Sequence, residues 1–485
     1  MTIRTLFDTI PLTDILGISS PEVLTFPCAA PKRDSRKILA GDVFFCIRGR
    51  HHDGHTDLAA ASYGAVCAVI DRPDAIVQAE ELSLPWILVR DTAAVFLPAC
   101  LAYYGHPERS LHLYAVTGTN GKTSVTYLLE AIFSAYPPSS PCAVFGTVEN
   151  RIAGVSYRTE NTTPAPEITA ELLSRARDAG VKTVIMEASS HALEQNRLAG
   201  LTFDCGIFTN LSEDHLDYHP TMEDYFLAKR KLFFSCRRAL YNIDDPHGMR
   251  LFCDPDIPAA RHTYALNHPL AEFSASCLPD DLTDAPCDFL AANRLAAAAC
   301  ASMASVPTKV ICTAIRFMQP IPGRMERVLA APYSVYLDYA HTPDALKRVL
   351  QGLGKQTTGA LCVLFGCGGD RERQKRPMMG AIAAALADRI ILTADNSRSE
   401  DVRDILAEIL GGIVQNDRHK VTVITDRRAA ILHALNTAKA GDTVLLAGKG
   451  HETYQTDQTG THPFSEREII RAYQPFIHTD ERENP

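Results

Sequence analysis

A chain of 485 residues is too long for one ordinary hydrophobic core, and at about 150 residues per domain it predicts roughly three domains. Hydrophobic residues at 46% and charged residues at 22% exclude disordered and fibrous classes. A net charge of -9 without a Lys/Arg-rich block argues against nucleic acid or an anionic membrane as the main partner, although a local basic site can still hold phosphates.

The opening MTIRTLFDTIPLTDILGISS alternates polar and apolar residues. It has no signal-peptide core and no run long enough to span a bilayer, so a cytoplasmic location is expected. Strand-like DVFFCI and AVCAVI, with turns between them, make residues 1–105 a small α/β domain. From Leu111 a buried-strand run, LHLYAV, meets the turn TGTNGK, and TSVTYLLEAIFSAY then carries apolar residues at helical spacing. EITAELLSRARDAG, KTVIME and FDCGIFTNL continue the alternation, predicting a mainly parallel sheet covered on both faces over 106–327. The Pro- and Gly-bearing IPGRM sets a boundary at about Arg327. Strands SVYLDYA, ALCVLFGC, DRIILTAD, KVTVITD and DTVLLAG then alternate with helices KRPMMGAIAAALA and RRAAILHALNTAK, a second doubly wound pattern over 328–485. Fourteen cysteines scattered from Cys28 to Cys367 without CxxC pairs read as reduced, mostly buried small residues.

Residues 118–124, in the order Gly118, Thr119, Asn120, Gly121, Lys122, Thr123 and Ser124, lie between a buried strand and a helix. Backbone N–H groups and the helix dipole converge there on an anion. Lys122 suits β- and γ-phosphates, and the Thr123 hydroxyl suits Mg²⁺, a hard cation that prefers oxygen. Val116 stands where the strict GxxxxGK[ST] pattern has its first glycine. Glu187 follows KTVIME and His215 follows FDCGIFTNL, so both can point into one crevice at the carboxyl ends of strands. Lys229 sits in a helix with an apolar face, where a lysine is ordinarily solvated or snorkelling.

VTGTNGKTS resembles the nucleotide loop of the Mur ligases and their folylpolyglutamate synthetase relatives. MEASSHAL, TNLSEDHLDYH, YFLAKRKLF, NRLAAAA, PGRMERV, DYAHTPDAL and LLAGKGHE follow in the order of that family and cover essentially the whole chain. The resemblance implies an α/β, three-domain Mur ligase architecture with a P-loop-type central parallel sheet and a Rossmann-like C-terminal domain. It implies an ATP-dependent, Mg²⁺-requiring ligase of peptidoglycan biosynthesis that makes an amide through an acyl phosphate. Glu187 and Thr123 are then expected to hold one Mg²⁺ and His215 to contact a second. Lys229, at the lysine of the AKxxLF pattern, is expected to carry a CO₂-derived carbamate that also serves Mg²⁺. Asn293, Arg324, Asp338 and His341 match positions around ATP.

Ser35 in DSRK, followed by GDVFFCIRGRHHDGH, resembles the uridine-nucleotide domain of the enzymes that add the third peptide residue. Asn161, Thr162, Thr163, Ser189, Gln195 and Arg197 match positions that contact the muramoyl dipeptide. Asp395, Asn396, Ser397 and Arg398 stand where the diaminopimelate-adding members carry Asp-Asn-Pro-Arg, and Arg371, Gly448 and Glu452 match the remaining amino-acid contacts. The expected substrates are UDP-N-acetylmuramoyl-L-alanyl-D-glutamate and meso-2,6-diaminopimelate, whose extra carboxylate suits the Arg398 fork. Ser397 departs from the pattern, since losing a proline frees φ in the turn that aims Arg398. A monomer without nucleic-acid or membrane partners is expected. The alternatives are a lysine-adding homologue, another Mur ligase, a folylpolyglutamate synthetase, or, in different classes, a P-loop regulatory ATPase or a non-catalytic nucleotide-binding scaffold.

Overall fold

The computed structural model describes residues 1–50, 52–136, 141–283, 285 and 287–477. His51 of the GRHHDGH stretch and residues 478–485 of the last expected domain lie outside them. Three large sheets follow one another along the chain, and a two-stranded hairpin of Tyr454–Asp457 and Gly460–Pro463 comes after the third. The first comprises β1 (Ile15–Ile18), β2 (Pro31–Lys32), β3 (Val43–Phe45), β4 (Cys67–Ile70) and β5 (Trp86–Val89), in the order β1-β5-β4-β3-β2. All its pairings are parallel except β1 on β5. Phe45 of β3 packs between Phe7 and Phe96, with ring centroids 6.2 and 5.1 Å away, so the helix Thr92–Tyr103 covers this sheet. The Asp91 carboxylate caps that helix by accepting from the amides of Ala93 and Ala94.

The central sheet comprises β6 (His112–Thr117), β7 (Cys142–Phe145), β8 (Asn150–Ile152), β9 (Val155–Tyr157), β10 (Thr183–Glu187), β11 (Phe203–Phe208), β12 (Cys236–Asn242) and β13 (Ala260–Tyr264). Its order is β13-β12-β11-β6-β10-β7-β8-β9. The continuous apolar runs form the parallel strands, as burial on both faces requires. Only β7–β8 and β8–β9 pair antiparallel, the latter closed by Ala153 and Gly154, both at positive φ, in a two-residue turn that the sequence pattern did not suggest. Strand β6 lies between β10 and β11, so connections leave it in opposite directions and a crevice opens at its carboxyl end.

The third sheet comprises β14 (Glu326–Leu329), β15 (Ser334–Asp338), β16 (Leu361–Phe365), β17 (Arg389–Leu392), β18 (Val421–Val423) and β19 (Thr443–Ala447), in the order β14-β15-β19-β16-β17-β18. Arg327, the boundary read from sequence, lies inside β14, an antiparallel edge strand on β15. A short polar strand beside a Pro-Gly turn carries no periodicity of its own. The five parallel strands match the five apolar runs, and β15 and β16 are separated by β19, which opens a second crevice. All fourteen cysteines are free, eleven of them buried. Among the described residues no helix is long and apolar enough to cross a membrane.

Candidate active site

The phosphate loop leaves β6 and enters the helix Lys122–Ser134. Gly118 and Gly121 hold φ of +146° and +89°. A Cβ on Gly118 would come within 1.9 Å of Thr209 Oγ1, and one on Gly121 within 2.5 Å of Asn293 Oδ1, so only glycine fits either place. Asn210 braces the turn: its carbonyl accepts from the Thr119 amide at 2.8 Å and its Oδ1 from the Asn120 amide at 3.0 Å. Thr209 Oγ1 donates to the Asn120 carbonyl at 2.6 Å. Sequence reasoning missed this bracing pair, although both residues stand in the quoted TNLSEDH segment.

Glu187 is buried at the end of β10. Its Oε2 accepts from Thr123 Oγ1 at 3.1 Å, and Thr147 donates to the same carboxylate through its amide and its hydroxyl, both at 2.9 Å. Thr147 was not foreseen, because a lone threonine after β7 has no sequence signal. Gly146 is its counterpart, since a Cβ there would lie 2.4 Å from Glu187 Oε1. Arg324 reaches across from the start of the third unit and donates from Nη2 to Thr123 Oγ1 at 3.1 Å. Its Nε is buried without a hydrogen-bond partner, a donor aimed at something the protein does not supply.

Lys122 Nζ donates to the carbonyls of Gly118 and Thr119, at 3.0 and 2.9 Å. Burial lowers its pKa, against the raising influence of Glu187 and Asp214. Lys229 does not line the crevice; its buried ammonium nitrogen donates to the Gly118 carbonyl at 2.8 Å and lies 4.4 Å from the centre of the Tyr225 ring. Burial, then the charge of Lys122, holds it well below the ordinary lysine range. The expectation of a solvated lysine is overturned here, because the apolar face of this helix is turned inward and carries Lys229 with it.

His215 has a left-handed φ of +58°, and burial pushes it down to about 3, so the ring is neutral and able to offer a lone pair. Asp214 Oδ2 lies 3.5 Å from His215 Nε2 and 3.9 Å from His341 Nε2, joining the central and third units. Burial raises the pKa of Asp338, whose two oxygens accept from the amides of Met325 and Ala340 at 2.7 and 2.8 Å. Asn293 sits under Gly121 from the helix Asp288–Met303. Thr119, Asn120, Gly121, Lys122, Thr123, Ser124, Glu187, His215, Asn293, Arg324, Asp338 and His341 all line this one crevice.

Beside it, Thr163 Oγ1 donates to the Glu187 carbonyl at 2.7 Å and accepts from the Ser189 amide at 3.0 Å. Arg197 bonds both the Thr163 carbonyl, at 3.2 Å, and Gln195 Oε1, at 3.0 Å. Thr162 lines the crevice itself. Asn161 is exposed, its carbonyl accepting from Thr159 Oγ1 at 2.8 Å. Ser35 stands apart in the first unit, donating to Asp57 Oδ2 at 3.1 Å.

A second cleft, at the carboxyl ends of the third sheet, is walled by Arg371, Asp395, Asn396, Arg398, Gly448 and Glu452. Asn396 Nδ2 donates to Glu452 Oε2 at 2.8 Å, and the fully buried Lys449 holds both, at 3.0 and 3.2 Å. Arg398, at φ +52°, donates from Nη1 to the Gly369 carbonyl at 2.7 Å. Ser397 is buried and does not line the cleft. Asp214, His215, Tyr339 and His341 line both clefts, so the two open into each other.

The donor set fits nucleotide and metal. Glycines that admit no Cβ, an unpaired Arg324 Nε and a lysine at the helix start match phosphate oxygens. Among the described residues no group of three or more His, Cys, Asp or Glu side chains could hold a metal by itself. Thr123 with Glu187 is instead the kind of sparse oxygen set that Mg²⁺ completes with substrate phosphates and water.

A phosphate loop opening into a second, cation-bearing cleft defines a ligase that spends a nucleoside triphosphate to join two substrates. The chain belongs to the Mur ligase family: residues 116–275 match the Mur ligase middle domain and residues 323–450 the Mur ligase, glutamate ligase domain. It is 38% identical over 484 residues to the UDP-N-acetylmuramoyl-L-alanyl-D-glutamate–2,6-diaminopimelate ligase of Geobacter metallireducens, covering 90% of this chain and 92% of that one. It is 40% identical over 464 residues to the protein of that name from Synechococcus elongatus, with the same coverage of 90% and 92%. A solved structure of a ligase of that name superposes with a TM-score of 0.66 at 28% identity, covering 99% of both chains.

Proposed function

We propose that this chain joins meso-2,6-diaminopimelate to UDP-N-acetylmuramoyl-L-alanyl-D-glutamate, forming the tripeptide precursor of peptidoglycan at the expense of ATP. The observation that carries this reading is the second cleft: Arg398 and Arg371 line it together with Asn396 and Glu452, and it opens directly into the nucleotide crevice. A dicarboxylate amino acid supplies one anionic group for a guanidinium fork and leaves another beside the reacting amine. The names of the relatives support the same substrates.

The residues divide the work by position. Lys122, the loop amides and Arg324 orient the triphosphate, with Asn293, Asp338 and His341 around the rest of ATP. Thr123 and Glu187 would hold Mg²⁺, with His215 at a second ion; the metal would neutralise phosphate oxygens during transfer of the γ-phosphoryl group to the substrate carboxylate. Thr162, Thr163, Ser189, Gln195 and Arg197 form a polar wall for the dipeptide, with Asn161 at its exposed edge, and Ser35 serves the uridine end. The incoming amine then attacks the acyl phosphate and phosphate leaves. Lys229, buried and held below its ordinary pKa, has the amine character that carbamylation by CO₂ needs. The same reading gives a cytoplasmic enzyme working as a monomer.

The test is mass detection of product with Mg-ATP, the UDP-linked dipeptide, and either meso-diaminopimelate or L-lysine. Tripeptide formed preferentially with diaminopimelate is expected. Preference for lysine would overturn the reading of the third unit, and absence of either product would overturn the ligase itself.

A further inference from the structure

The second cleft contains two charged side chains that make no direct ion pair among the described residues. Lys375 opens the helix Lys375–Leu386, is only 9% exposed and lines the cleft. Its ammonium forms no hydrogen bond or ion pair among the described residues. Glu372, three residues earlier, lines the same cleft, and its Oε1 is buried with no hydrogen-bond partner. The two do not pair with each other. Their neighbour Arg376 shows the ordinary outcome here, since it is fully buried and doubly paired, to Glu400 at 2.8 Å and Glu408 at 2.9 Å.

A buried carboxylate oxygen without a donor is costly, and the Lys375 ammonium, felt by Asp214 and Glu372 without a direct ion pair, stays free to take a further anion. A cation and an anion that face one cleft and stay apart are complementary to a ligand bearing both charges at close spacing. The head of an α-amino acid is such a ligand, with ammonium and carboxylate on one carbon. The pair also stands toward the reacting side. Asp214 and His341, which line both clefts, feel the charge of Lys375, whereas Arg398 is anchored on Gly369 in the DNSR turn.

We propose that Lys375 and Glu372 grip the reacting amino-acid head, Lys375 taking its carboxylate and Glu372 its ammonium, and that Glu372 accepts the proton that frees the amine. This rests on the ligase reading given above. The freed lone pair forms the C–N bond to the activated carbonyl, and the C–O bond to phosphate breaks with its electron pair going to phosphate. The second proton on nitrogen leaves with that phosphate. Burial, then the charges of Glu213, Asp214 and Asp217, raise the pKa of Glu372 against the lowering influence of Lys375, which makes it the better proton acceptor.

Steady-state kinetics of Lys375→Met, Lys375→Arg and Glu372→Gln test the grip. They are run beside positional isotope exchange in ATP with the UDP-linked dipeptide and no amino acid, which reports acyl-phosphate formation alone. Lys375→Met should raise KM for diaminopimelate by roughly 10-fold or more, as loss of a charged hydrogen bond does, and Lys375→Arg should restore most of it. Glu372→Gln should lower kcat by about 100-fold, the scale of general-base removal. Isotope exchange should be unchanged in all three. Equal loss of exchange would place the residues in phosphoryl transfer instead, and normal kinetics with diaminopimelate would remove them from the amino-acid head. A wild-type protein that makes no tripeptide would sink the ligase reading and this inference with it, whereas active wild type with silent variants sinks the grip alone.

Discussion

Lys122 and Lys229 donate to a single acceptor, the carbonyl of Gly118, at 3.0 and 2.8 Å. Two ammonium groups on one oxygen repel, and both lie below the ordinary lysine range, Lys229 far below it. The unfolded chain keeps Lys229 protonated up to about pH 10, while the folded chain releases that proton at lower pH. Folding stability therefore rises with pH across the window between the two values and is penalised below it. Lys229→Met should abolish ligation, by about 100-fold or more as charge-stabilising groups do. In CO₂-free buffer at pH 7 its thermal midpoint should equal or exceed that of wild type, with the gap closing toward pH 10. A variant less stable than wild type at pH 7 would contradict this account of the buried amine.

Thr147 holds both oxygens of Glu187 and so fixes the carboxylate beside Thr123. Thr147→Val keeps the amide contact and removes the hydroxyl one. Groups that orient a metal-binding carboxylate are worth about 10- to 100-fold in metal affinity or activity. The variant should need more Mg²⁺ for half-maximal phosphate release, with KM for diaminopimelate unchanged. An unaltered Mg²⁺ titration would leave Thr147 with a packing role only.

Much of this site could be read from the sequence because it sits where a strand ends and a helix begins. The runs LHLYAV and KTVIME form parallel strands whose carboxyl ends deliver residues 119–124 and Glu187 to one crevice. What stayed hidden depends on chain crossings. Thr147, Asn210 and Lys449 act through neighbours 40, 90 and 53 residues away, and no local pattern marks such a residue. Helical spacing alone makes Lys229 an ordinary solvated lysine, because it gives the apolar face and not what covers it. The edge strand containing Arg327 was absorbed into a boundary because pairing with β15, and no periodicity, defines it.

Ser397 is the one departure in the diaminopimelate turn. It is buried, and its amide makes no hydrogen bond among the described residues, so a proline there would cost no donor. Ser397→Pro should keep the preference for diaminopimelate and raise stability by roughly 0.4–1 kcal/mol, by restricting the unfolded chain. Thermal denaturation beside a diaminopimelate titration checks both. A loss of stability would show that φ at this position is incompatible with the ring.

Arg398 combines a strained backbone with the charge that the proposed function assigns to the distal carboxylate. A non-glycine residue at φ +52° costs about 1 kcal/mol or more, and a Cβ on Gly368 would lie 2.9 Å from Arg398 Nη1, so the guanidinium is packed closely into its place. Arg398→Ala keeps the backbone strain and removes the fork; Arg398→Gly removes both. Each should lower kcat/KM for diaminopimelate by roughly 10- to 100-fold, the worth of a charged hydrogen-bonded contact, with ATP binding unchanged. The glycine variant should be the more stable of the two, since glycine has no Cβ to clash at this φ. Comparing ATP affinity, kcat/KM and thermal midpoint across the pair separates recognition from strain, and an equal fall in ATP affinity would move Arg398 out of the amino-acid cleft.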